Sequence, residues 1–282
     1  MENVIKIHEI EQTFGEKTVL KNINMEIAKG EILGLLGPSG AGKTTLIKIL
    51  TGQLKPSKGK AWVFGKEATT LTGKDYRKIG MMMDNFGLYE RMSCYDNLLF
   101  FSKVYGISKK KIEGALERVG LSEAKKTLAS NLSKGMKSRL LLARVLMAEP
   151  EILFLDEPTS GLDPATTEEI HKVIREEQAK GVTVFLTTHN MAEAYKLCNH
   201  IALLNDGDIV EYGEPEEICR RYNHQKRIKL HLFNGEDMEL AHDNESFDVL
   251  AKYWKENAIE TIHSTEPNLE TVFMELTGRK LD

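Results

Sequence analysis

The chain has 282 residues, 41% of them hydrophobic, with 22 glycines and only 7 prolines, a composition that fits a folded protein with one large domain and a small appendage. A net charge of −4 supplies no basic stripe for nucleic acid, and the three scattered cysteines (Cys94, Cys198, Cys219) form neither a disulfide framework nor a zinc spacing. The longest apolar stretches, such as Ile32 to Leu36, fall far short of the roughly 20 residues that span a bilayer, and Met1-Glu2-Asn3 does not begin like a signal peptide, so a reducing cytosolic setting is expected.

Along the chain, Val4 to Ile10 and Ile23 to Ile27 alternate apolar and polar residues and predict half-buried strands. Glu31 to Leu36 is a short buried strand running into glycines, followed by helical spacing over Lys43 to Leu50 and a strand over Ala61 to Phe64. From Leu88 to about Glu149 the pattern is mostly helical, with breaks at Gly106, Gly120 and Asn131. Two uninterrupted apolar strands follow, Ile152 to Leu155 and Val182 to Thr187. Between them a helix over Thr166 to Ala179 places Ile170, Val173 and Ile174 on one face and Glu168 four residues from Lys172.

Asp206-Gly207 and Asn234-Gly235 each sit between short strand patterns and predict hairpins. The basic run Arg220 to Arg227 reads as a solvated linker, which puts a domain boundary after residue 222. Beyond it come strands over Ile228 to Phe233 and Met238 to His242, a helix over Phe247 to Lys255, a strand near Ile259 to Ile262 and a helix over Leu269 to Leu276.

Gly37-Pro38-Ser39-Gly40-Ala41-Gly42-Lys43-Thr44 is a full match to the phosphate-binding pattern G-x-x-x-x-G-K-[ST], with a strand entering it and a helix leaving it. Glycines let successive backbone N–H groups turn toward an anion, and the helix start directs its positive end to the same place. Lys43 is expected on the outer phosphates of ATP and the Thr44 hydroxyl on Mg²⁺, with Thr45 completing the nucleotide-binding run. By itself this pattern serves kinases, GTPases, motors and transporters alike.

Ile152 to Leu155 delivers Asp156 and Glu157 at a strand end, where a parallel sheet presents ligand crevices. Asp156 is expected to hold Mg²⁺ and Glu157 to polarise the attacking water. His189, at the end of the later strand, reads as a γ-phosphate contact; the other seven histidines show no metal spacing.

The segment Leu132-Ser133-Lys134-Gly135-Met136 resembles the signature loop of the ABC ATPases, and lies upstream of Asp156-Glu157 at that family's spacing. The resemblance covers essentially residues 2 to 218. It implies that Ser133 and Gly135 grip the γ-phosphate of ATP held by an opposite subunit, that Ser160-Gly161-Leu162-Asp163 forms the D-loop, that His189 is the switch histidine, and that Phe14 stacks on adenine. It implies an α/β fold of the P-loop NTPase, ABC-ATPase type: an antiparallel β subdomain, a RecA-like core, a helical signature subdomain at about 88–150 and a small C-terminal α+β extension over 223–282.

Two positions depart from the family pattern. Asp84 stands where a glutamine usually contacts Mg²⁺ and senses the membrane subunit; its shorter side chain suits a water-bridged metal contact. Lys134 replaces the first of the paired signature glycines, as in forms from drug and peptide exporters. Met81 to Met83 read as core or near-core, with soft side chains that could also line the groove for a membrane-subunit helix.

The resemblance implies a transport-coupled ATPase that binds ATP and Mg²⁺, pairs with a second such subunit (a homodimer) and docks on separate transmembrane permeases at the inner face of the cell membrane. No nucleic-acid partner is expected. Glu266 to Phe273 and Leu276 to Arg279 resemble the ends of exporter ATPases of the drug, lantibiotic or polysaccharide kind. The core motifs are shared with importers; only that tail and Lys134 favour export. A soluble ABC ATPase acting on DNA or ribosomes is disfavoured, because only about 49 residues separate Asp84 from Ser133, too few for the long insertions of those families.

Overall fold

The computed structural model describes residues 2–83, 87–224 and 226–278. The alternating segments become long strands, β1 (Asn3–Phe14) and β2 (Lys17–Ala28), joined through Gly15, whose φ of +58° closes the turn. They extend beyond the predicted cores because antiparallel pairing runs from Asn3–Ala28 to Phe14–Lys17. With β4 (Lys58–Val63) and β5 (Lys66–Glu67) they form a four-stranded sheet in the order β2-β1-β4-β5.

A second sheet carries β3 (Ile32–Leu36), β6 (Ile79–Met82), β7 (Ile152–Asp156), β8 (Thr183–Thr188), β9 (His200–Asn205) and β10 (Asp208–Gly213), in the order β10-β9-β3-β8-β7-β6. Strands β3, β7 and β8 are buried at every position, which is why they read as unbroken apolar runs rather than alternations. The pairs from β9 through β6 are parallel, and β10 returns antiparallel through Asp206 (φ +48°) and Gly207 (φ +87°), the two positive φ values of a type I′ hairpin.

The core lies where the two sheets and helix α1 (Lys43–Leu50) meet, with Ile5, Ile10, Leu20 and Ile27 packed in one cluster with Leu35, Leu46 and Phe185. Burying each such side chain contributes about 1.5–3 kcal/mol. Phe154 and Phe185, on neighbouring strands, have ring centroids 5.7 Å apart.

After the short helix α2 (Gly73–Tyr76), three longer helices lie between β6 and β7: α3 (Cys94–Tyr105), α4 (Lys110–Arg118) and α5 (Lys134–Leu146), each touching the other two. Ser93 caps α3, its Oγ accepting from the Asp96 N–H at 3.0 Å, and Gly106 (φ +68°) ends it. Helix α6 (Pro164–Ala179) is capped by Asp163 and buries Ile170, Val173 and Ile174. Its Glu168 pairs with Arg175, two turns on, rather than with Lys172, because the long guanidinium side chain spans that distance. Helix α7 (Met191–Leu197) follows β8.

The chain divides into two compact units between Glu214 and Pro215. The second holds α8 (Pro215–Arg221), α9 (Asn244–Lys255), α10 (Leu269–Thr277) and a three-stranded sheet, β12 (Asp237–Ala241), β11 (Arg227–Leu232) and β13 (Ile259–Ser264) in that order. Its small core is Leu230, Leu232 and Leu240, with Leu250 and Tyr253 packed on it. The division falls ahead of residue 222 because α8 packs with α10, and Arg220, read as linker, is helical and pairs with Glu216. Among the described residues, no helix is long and apolar enough to cross a membrane.

Candidate functional site

The site follows from strand order. Strands β3, β8 and β7 are adjacent and parallel, with Leu36 opposite Thr188 and Asp156 opposite Thr187. Everything that leaves their carboxyl ends therefore emerges at one rim: the glycine-rich loop, Glu157 and His189.

The loop can approach this closely only without side chains. A Cβ on Gly37 would lie 2.3 Å from the Leu204 carbonyl oxygen, and one on Gly42 (φ +112°) would meet Leu20 Cδ2 at 2.7 Å. Within the loop the Ala41 N–H donates to the Pro38 carbonyl at 3.1 Å. Ser39, Gly40 and Gly42 to Thr45 line an open cleft opposite Asp156 and Glu157. Lys43 is 7% exposed, donates to the Gly37 carbonyl at 2.6 Å and lies 3.3 Å from Glu157 Oε1. The cleft walls also include Lys48 and Gln53, which the motifs did not single out, and Met83.

Asp156 is buried and accepts a hydrogen bond from Thr44 Oγ1 at 2.8 Å, and another from Thr187 Oγ1. Thr44 and Asp156 thus converge as hard oxygen donors, one of them anionic, a donor set that fits Mg²⁺ with water completing its shell. Asp84 lies outside the described residues. Glu157 adopts φ +51°, a left-handed conformation uncommon for a non-glycine residue and often found where geometry serves a site. Its N–H donates to the Thr187 carbonyl at 3.0 Å, and its Oε2 lies 2.7 Å from His189 Nδ1.

Ser133 and Gly135 do not border this cleft. Ser133 is exposed and caps α5, its Oγ accepting from the Met136 N–H at 3.2 Å. Gly135 is buried where a Cβ would meet Thr166 Cγ2 at 2.8 Å, so glycine lets α5 approach the first turn of α6. Lys134 Nζ sits over Gly161, 2.6 Å from where a Cβ there would be. Phe14, at the end of β1, is 49% exposed and is not among the cleft walls.

A third carboxylate of the region carries no sequence motif. Glu193, on α7 and buried, accepts from Thr159 Oγ1 at 2.5 Å and Thr188 Oγ1 at 2.6 Å, and its Oε1 lies 2.8 Å from His171 Nε2. Burial alone would raise this carboxyl, but the bonds from His171, Thr159 and Thr188 outweigh it and hold it below its ordinary value. Only its partners, far apart in the chain, reveal it.

A profile of the ABC transporter family matches residues 20–160. A fluoroquinolones export ATP-binding protein of Mycobacterium tuberculosis is 40% identical over 93% of this chain and 88% of its own length. The linearmycin resistance ATP-binding protein of Bacillus subtilis is 32% identical over 99% of both. Among solved structures, the dimeric post-hydrolysis state of an ATP-binding cassette bound to ADP and Pi is similar with a TM-score of 0.67 and 26% identity, over 74% of this chain and 98% of that one. Similarity that runs nearly end to end, joined to a glycine-rich loop facing paired carboxylates, makes this chain an ATP-binding, ATP-hydrolysing member of the ABC transporter family.

Proposed function

We propose that this chain is one of two identical ATPase subunits that drive export of a drug- or peptide-like compound through separate membrane permeases, working at the cytoplasmic face of the membrane. The reading is carried by Lys43, Asp156 and Glu157 meeting at one cleft on the sheet rim, with His189 bonded to Glu157. Export is supported by relatives whose names specify fluoroquinolones export and linearmycin resistance.

In this mechanism the loop N–H groups and Lys43 take the phosphates of ATP, with phosphate oxygens displacing Glu157 from the ammonium group. Freed from Lys43, the Glu157 carboxylate orients and polarises the attacking water, while His189 holds Glu157 on one side and reaches toward the γ-phosphate on the other. Thr44 and Asp156 would hold Mg²⁺, which supplies positive charge to the phosphates when bound. Ser133, capping a helix start, and Gly135 would close on the ATP of the second subunit, which explains why they stand away from their own cleft. Phe14 and Asp84 are proposed as an adenine contact and a water-bridged metal contact.

Glu157→Gln is the direct test. It should retain ATP binding, lower turnover by at least about 100-fold and trap an ATP-bound dimer. Near-wild-type hydrolysis would remove Glu157 from the mechanism. For export, the subunit purified with its permease and reconstituted in vesicles should show ATPase stimulated by amphipathic drugs or peptides added on the subunit's side; stimulation only by a solute captured on the opposite side would reverse the direction.

A further inference from the structure

Glu193 belongs to neither the phosphate loop nor the rim, yet its side chain joins the two segments that leave the rim. Thr159 lies two residues after Glu157, and Thr188 immediately precedes His189. Both hydroxyls donate to the one carboxylate, Thr159 to Oε1 at 2.5 Å and Thr188 to Oε2 at 2.6 Å. A third bond comes from His171 of α6, at 2.8 Å. The Glu193 N–H is held in turn by Asn190 Oδ1 at 3.0 Å, and the Asn190 N–H by Thr188 Oγ1 at 2.9 Å, so the turn carrying His189 is closed at both ends.

All four side chains are less than 9% exposed: Thr159 8%, His171 3%, Thr188 1% and Glu193 3%. A buried carboxylate is costly unless its lone pairs are satisfied, and here three partners from three segments satisfy them. Moving any one segment breaks a buried charge-assisted bond, so the network resists relative displacement of the strand ends.

We propose that Glu193 is a positioning residue for ATP hydrolysis: by tying Thr159 to Thr188 it holds the Glu157 and His189 turns in register, so that their side chains meet. The inference rests on the roles proposed for Glu157 and His189. Displacement of a catalytic group by about 1 Å costs on the order of 100-fold in rate, whereas the phosphate loop, held by Gly37 and Lys43, does not depend on this network.

The test uses the full chain with Glu193→Ala, Glu193→Gln and Thr159→Val, comparing Mg-ATP turnover, binding of a fluorescent ATP analogue and melting temperature. Expected is a kcat lowered by about 10–100-fold in Glu193→Ala and by less in the Gln and Val variants, with KM and analogue affinity changed by less than about twofold. The near-isosteric Gln and Val variants decide the matter if the Ala variant does not fold. Wild-type kcat in both of them overturns the proposal, as does a parallel fall in kcat, affinity and melting temperature, which marks a purely structural role. Glu157→Gln run alongside separates the two claims: loss of turnover there with unaffected Glu193 variants sinks only this inference, while retained turnover there sinks the reading on which it rests.

Discussion

His189 Nδ1 and Glu157 Oε2 lie 2.7 Å apart although 32 positions separate them in the chain. The contact exists because β7 and β8 are parallel neighbours, with Asp156 level with Thr187, so the next residues of the two strands emerge side by side. On its other oxygen Glu157 faces Lys43 Nζ at 3.3 Å, which makes it the junction between the phosphate loop and the histidine.

Removing the imidazole should therefore affect turnover more than binding. His189→Ala is expected to bind ATP with an affinity close to wild type and to lower kcat by about 100-fold or more, measured by steady-state phosphate release. A loss confined to KM would mean that His189 contacts ATP without serving the reaction.

The glycine-rich loop has a steric requirement at its first residue. A Cβ on Gly37 would stand 2.3 Å from the Leu204 carbonyl, a backbone atom of β9 that side-chain rotation cannot relieve. Gly37→Ala should destabilise the protein by about 1–3 kcal/mol and abolish binding of ATP analogues, seen as a lowered melting temperature without the usual upward shift on adding ATP. An unchanged melting temperature would mean that the loop tolerates the displacement.

The Glu193 network predicts a pH signature of stability. Its carboxyl titrates below the ordinary value of 4.5, so the folded protein binds this proton less readily than the unfolded chain does. The stabilisation is fully present above about pH 4.5 and is lost as pH falls through the lower folded value. The titratable group acting on it is His171, which bonds to it; the thiol of Cys198 is instead pushed up by its own burial and by the Glu193 charge. Melting temperatures taken from neutral pH downward should fall more steeply below pH 4.5 in wild type than in Glu193→Gln. Parallel curves would show that Glu193 keeps the same affinity for protons in both states.

Much of the fold was legible in the residues because its signals are short-range. Buried strands β3, β7 and β8 announced themselves as apolar runs, and Asp206-Gly207 as a tight turn, since both depend only on neighbours in sequence. Arg220 misled, since a basic run reads as solvated chain unless its helix finds a partner, and α8 finds one in α10. Glu168 misled for a related reason: spacing offered Lys172, while side-chain reach selected Arg175.

The sequence by itself determined the glycine-rich loop, because the contiguous residues Gly37 to Thr44 suffice to specify a turn whose backbone suits an anion. The tertiary structure decided which groups stand beside that loop. Thr187 on Asp156, His189 on Glu157, and the meeting of Thr159, His171 and Thr188 on Glu193 all depend on strand order and helix packing. A buried carboxylate takes its partners from whatever the fold brings within hydrogen-bond reach, and no local pattern records that choice.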